Sequence, residues 1–217
     1  MFKINRLDFL ISIYTFCIVA SELMGAKTFP LAKIFGFQLN ASVAIFFVPL
    51  IFSMNDIVTE VYGKERTRSI IRSALFVVFL VFVSAILFTQ LPPSMRFQTK
   101  EAAYDTIFGL SARFAAASLT AFALAEFLDV FIFSKIRQRL GKKSLWLRVN
   151  ASNFISQFVD TVVFVTLAFY AFNLPFGDNF SDLARIILPY WLLKCFMSII
   201  ETPLVYAGVK WLQKDKK

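Results

Sequence analysis

Seven carboxylates, half of the 14 acidic residues, lie inside apolar runs or at their ends: Glu22, Asp56, Glu60, Glu126, Asp129, Asp160 and Glu201. One cation, Lys194, opposes them at comparable depth. Asp56 and Glu60 are four residues apart, so on a helix they share a face. At about 100° per residue, Asn153, Gln157 and Asp160 fall within a stripe roughly 60° wide. Ser118, Phe122 and Asp129 form a similar stripe with Glu126 to one side. Tyr190, Lys194, Ser198 and Glu201 share a third face with Trp191 beside them, and Pro49, Phe52, Asp56 and Glu60 a fourth, next to Asn55. Carboxylates accept from paired N–H groups, amides donate and accept, and aromatic faces stack on flat rings. Four such stripes converging on one wet cavity would suit a planar, nitrogen-rich heterocycle such as a purine analogue. An anionic substrate would instead want several Arg and Lys.

The elements that must hold these residues are helices in a bilayer. Of 217 residues, 58% are hydrophobic and 17% charged, with 28 Phe and a mean hydropathy of +0.68; soluble domains are usually about 45–50% apolar and about a quarter charged. The excess falls into six blocks, at 7–24, 41–54 continuing to 63, 74–91, 114–133, 154–173 and 186–212. Each is near the ~20 residues that cross about 30 Å of hydrocarbon, where a backbone must satisfy its own hydrogen bonds. The alternating pattern of an outer-membrane barrel is absent. The expectation is an all-α polytopic membrane protein, a six-transmembrane-helix bundle forming one domain over 1–217. Gly63 is placed to end the second helix as a capping glycine.

Sixteen of the 23 Lys and Arg residues fall at 3–6, 64–72, 135–148 and 210–217, on one side of the six spans, and six on the other. The positive-inside rule then puts both termini in the cytoplasm, in agreement with an even number of spans. The net charge of +9 lies beside spans, where it binds lipid headgroups, so no nucleic-acid role is expected. The absence of histidine removes the common zinc, haem and Ser-His chemistries. Cys17 and Cys195 lack metal spacing and read as packing residues. No cofactor and no metal is expected. The apolar N-terminal run reads as an uncleaved first helix. Pro49, Pro189 and Pro203 read as interior to spans two and six, where proline kinks a helix; 92–112 and 175–182 read as external connections.

Each residue also has a plainer role. Glu22 and Glu60 could be interfacial, Asp129 or Asp160 a lone interhelical partner, Lys194 a structural counter-ion, and Trp146, Trp191 and Trp211 belt aromatics. "EFLDVFIF" at 126–133 resembles "QFVDTVVF" at 157–164, as duplicated transporter spans do.

The runs "PLIFSMNDIVTEVYG" at 49–63 with "ERTRSII" after it, "ARFAAASLTAFALAEFLDVFIFSKIRQR" at 112–139, "NASNFISQFVDTVVF" at 150–164 and "KCFMSIIETP" at 194–203 resemble the queuosine precursor transporter family, also called vitamin-uptake-like transporters. The resemblance covers most of the chain. It implies uptake of 7-cyano- or 7-aminomethyl-7-deazaguanine across the bacterial inner membrane. On that match Asp56, Asp129, Asp160 and Lys194 are candidate substrate-binding residues, joined by Asn55, Glu126, Asn153 and Gln157 around the same cavity. Glu126 stands where family members carry Gln, which adds a titratable group. The expected partners are a small purine-like substrate and the lipid bilayer, with a homodimer left open. The competing classes are a substrate-capture subunit of a multicomponent transporter and an intramembrane enzyme using an Asp pair.

Overall fold

The chain passes from its second helix to its third on a single residue. Gly63 holds φ 84° and ψ 165°, a region open essentially to glycine alone. Its N–H donates to the Thr59 carbonyl at 2.9 Å, so the capping role read from the sequence is observed, with no loop after it. The structure is a computed structural model describing residues 5–34, 37–140, 145–200 and 202–213; Glu201 and the side chains of Glu126, Asp129, Asn153 and Cys195 lie outside the described residues.

The helices are α1 (Arg6–Met24), α2 (Val48–Tyr62), α3 (Lys64–Phe88), α4 (Glu101–Leu140), α5 (Leu145–Phe169), α6 (Phe176–Ile200) and α7 (Thr202–Gln213). Between α1 and α2 run β1 (Thr28–Ile34) and β2 (Phe37–Ser42), paired as a two-stranded sheet. This hairpin is the departure from an all-α chain. Its base is closed by Ser42 Oγ donating to the Gly25 carbonyl and Val43 N to Lys27 O at 2.9 Å.

Arg6–Met24, Val43–Tyr62, Glu65–Phe88 and Gln98–Ala125 are long and apolar enough to cross a membrane, while the apolar part of α5, Phe154–Phe169, is shorter. Large apolar side chains such as Phe16, Phe76, Phe79, Leu80 and Leu87 are exposed. In water that surface would drive association; in lipid it is solvated. The protein is a mainly helical, multi-pass membrane protein.

Several boundaries differ from the hydropathy blocks for physical reasons. Helix α3 begins ten residues before its block at Ala74 because charged side chains leave helix propensity intact and only end the apolar run. Half of the expected external loop at 92–112 is the first turns of α4, where Tyr104 packs on Phe97 and Phe108 at centroid distances of 5.6 and 4.4 Å. Pro49 is in the first turn of α2 rather than inside it, where a missing N–H costs nothing. The last block is described as α6 up to Ile200 and α7 from Thr202, with Glu201 between them outside the described residues. Pro189 does lie inside α6.

The chain clusters into two units, one comprising 1–29, 41–115 and 196–217 and the other 30–40 and 116–195. In the first, Leu10, Tyr14 and Cys17 of α1 meet Met54, Ile57, Val58 and Val61 of α2, Ile70 and Ala74 of α3, and Leu212 of α7 in one core. Cys17 is a packing residue, 1% exposed. Arg6 donates to the Trp211 carbonyl and lies 5.4 Å over its indole, tying the start of α1 to the end of α7. In the second unit the small residues Ala117 and Ala121, one turn apart on α4, are buried, as are Thr161, Val165 and Ala168 of α5 and Leu183, Ile186 and Tyr190 of α6. Small residues let membrane helices approach closely.

Candidate functional site

Helix α5 places Phe154, Gln157, Phe158, Asp160 and Thr161 within two turns, and α6 places Tyr190, Trp191 and Lys194 within one. The two helices meet through charge. Lys194 Nζ donates to Asp160 Oδ2 at 2.6 Å. An isolated ion at the centre of a bilayer costs roughly 2.5–3.5 kcal/mol on insertion scales, and pairing offsets part of such a cost for both. The Lys194 side chain is 12% exposed and Asp160 29%; the carboxylate is therefore held on one oxygen and still reachable.

Aromatic rings flank the pair. Trp191, one turn before Lys194, meets Phe154 at 5.0 Å and 66° and Phe158 at 5.4 Å and 75°, both edge-to-face. Gln157 is half-buried between them in sequence, and its carbonyl accepts from Thr161 Oγ1 at 2.8 Å. The cluster thus offers a carboxylate, an ammonium, an amide and aromatic surface. Together these can accept from an amidine-like N–H pair, donate to a carbonyl and stack on a flat ring.

The stripes read from sequence on α5 and α6 do face each other through Asp160 and Lys194. The counter-ion role of Lys194 is observed too, and it leaves two further ammonium donors for a ligand. Phe154 and Phe158 were not singled out by spacing alone; the signal was an i, i+4 aromatic pair bracketing Gln157. Trp191, read as flanking the α6 stripe with a belt position as its plainer role, packs on that pair.

The first unit holds the other described candidates. Asp56 and Glu60 are exposed on the face of α2 opposite its buried Ser53, Met54, Ile57, Val58 and Val61. Asn55 points elsewhere, its side chain hydrogen-bonded to the Tyr14 hydroxyl of α1, so in this structure it joins two helices. Glu22 is buried, 6% exposed. An open groove of about 770 Å³ runs along α3, lined by Glu65, Ser69, Arg72, Ser73, Phe76 and Val77. Glu126, Asp129 and Asn153 lie outside the described side chains.

The family model described as "Putative vitamin uptake transporter" matches residues 42–208. A protein of Bacillus subtilis (strain 168) named "Probable queuosine precursor transporter" is 30% identical over 207 residues, covering 93% of this chain and 84% of its own length. Its namesake in Haemophilus influenzae is 32% identical over 70% of this chain and 61% of its own length. The "Queuosine precursor transporter" of Escherichia coli (strain K12) is 30% identical over 58% of this chain and 53% of its own length. No solved structure matches the chain significantly.

Proposed function

Given that this chain belongs to the family of vitamin uptake transporters, a family of transporters and not of enzymes, we propose that it imports queuosine precursors, 7-cyano- or 7-aminomethyl-7-deazaguanine, across the bacterial inner membrane. The observation that carries this reading is the Asp160–Lys194 contact at 2.6 Å with aromatic rings beside it. A 7-deazaguanine base presents an amidine-like N–H edge, a carbonyl and a flat ring, and the cluster has a complement for each. The names of the relatives support queuosine precursors as the substrate class.

In this reading the chain is one transporter domain of six spans with both termini in the cytoplasm. The bias of its cations and the tie between Arg6 and Trp211 support that orientation. Alternating access exposes the site first outside and then inside, with the bilayer as its setting and a homodimer compatible with it. Asp160, Lys194 and Gln157 bind the base; Asp56, Glu126, Asp129 and Asn153 stay substrate-binding candidates on the family resemblance, and Asn55 holds α2 against α1 beside Asp56.

The test is salvage. Cells unable to make queuosine precursors, given this protein and external 7-cyano-7-deazaguanine, should regain queuosine in their transfer RNA. Asp160→Asn and Asp56→Asn should each lose that rescue at unchanged membrane expression; full rescue by both defeats the site. Purified protein that binds the base yet moves none into liposomes would instead make it a capture subunit.

A further inference from the structure

Among the described residues, Trp191 carries a buried Nε1–H that meets no acceptor. Folded proteins leave few such donors unmet, because stripping water from one without replacement is costly. The indole is also not free to turn. Phe154 and Phe158 hold it edge-on at 5.0 and 5.4 Å, and contacts of that kind fix a ring's plane. Trp191 lies in the interior of α6, Phe176–Ile200. The next turn of the same helix carries Lys194, bonded to Asp160, and residues three apart are neighbours on a helix surface.

We propose that Trp191 is a substrate-reading residue, whose Nε1–H donates to an acceptor atom of the flat base while Asp160 takes the base's N–H edge. The inference rests on the transport reading above and deepens it: the site measures an acceptor as well as donors on its cargo. A site with a buried donor discriminates strongly against a ligand that cannot satisfy it.

Trp191→Phe keeps an aromatic ring and removes only the N–H and part of the indole. In liposomes containing the purified full-length protein, uptake of radiolabelled 7-cyano-7-deazaguanine should show KM raised about tenfold. The detergent melting temperature should stay level or rise, since an unmet donor has gone. If Trp191→Phe fails to accumulate, benzothienylalanine at position 191, with sulfur in place of N–H, makes the same comparison at full ring size. Coincident uptake curves for wild type and variant overturn the role of Trp191 alone, as does a melting temperature that falls with the affinity, the mark of mere packing. Absence of uptake by the wild type overturns the transport reading and this inference with it.

Discussion

Thr59 and Thr67 share a hydrogen bond of 2.9 Å across Gly63, the residue that separates α2 from α3. Thr59 Oγ1 donates to Asn55 O at 2.7 Å, so Thr67 supplies the proton of the shared bond, with Gly63 O at 3.3 Å as its alternative acceptor. The joint is thus a short strap on a backbone conformation that only glycine adopts easily. The same helix end carries Asp56 and Glu60 outward and Asn55 inward against Tyr14.

Gly63→Ala should test the joint. A Cβ there meets nothing within 4 Å, so any cost is conformational and of order 1–3 kcal/mol. At about 2–4 °C per kcal/mol for a chain of this size, the detergent melting temperature should fall by several degrees. An unchanged melting curve would show that the joint relaxes to an ordinary φ.

The Asp160–Lys194 pair separates stability from transport. Removing one partner of a buried pair costs about 3–5 kcal/mol, and the lower end applies where Asp160 keeps 29% exposure. Asp160→Asn and Lys194→Met should each lower the melting temperature and abolish uptake. The double variant should recover most of the stability and none of the uptake. Recovered transport in the double variant would make the pair purely structural.

Asn179 is the clasp of the α5–α6 connection. Its side chain accepts from Ala171 N at 2.8 Å and donates to the carbonyls of Ala171 at 2.8 Å, Leu174 at 3.0 Å and Pro175 at 3.3 Å, and the residue is 2% exposed. Asn179→Ala should cost about 1–3 kcal/mol through the unmet backbone groups. Asn179→Asp should cost more, because a carboxylate would face three carbonyl oxygens. Melting temperatures in the order wild type, Ala, Asp confirm the clasp; equal values refute it.

Gly208 marks a close approach of α7 to α2. A Cβ at 208 would lie 2.3 Å from Ile57 Cδ1 and 2.8 Å from Cγ1. Gly208→Ala should therefore destabilise by about 1–3 kcal/mol through overpacking. Ile57→Val, which deletes Cδ1, should partly restore the double variant, a coupling that a thermodynamic cycle measures. Strictly additive effects would place the strain elsewhere.

Much of the molecule is legible from residue type and periodicity. Hydrophobicity is a property of each residue, and the bilayer scores it directly, so apolar runs announce helices wherever they lie. Gly63 could be read as a helix end because its freedom from a Cβ is local chemistry. The α5 and α6 stripes could be read because 3.6-residue periodicity puts Gln157 with Asp160 and Trp191 with Lys194 on single faces whatever surrounds them. The start of α4 was harder: Glu101 to Ala112 is polar enough to look like loop, and packing among Phe97, Tyr104 and Phe108 joins residues of the helix to those before it.

What the linear order cannot contain is which face meets which. That Lys194 finds Asp160, that Trp191 is wedged by Phe154 and Phe158, and that Asn55 turns to Tyr14 while its neighbour Asp56 turns away all depend on how helices are rotated about their axes. Those rotations are set by the summed packing of side chains far apart in sequence, such as Ile57 against Gly208. The chain alone determined a helical membrane protein with carboxylates set into apolar runs; tertiary packing decided that Asp160 meets Lys194 and that the Trp191 N–H is left unmet.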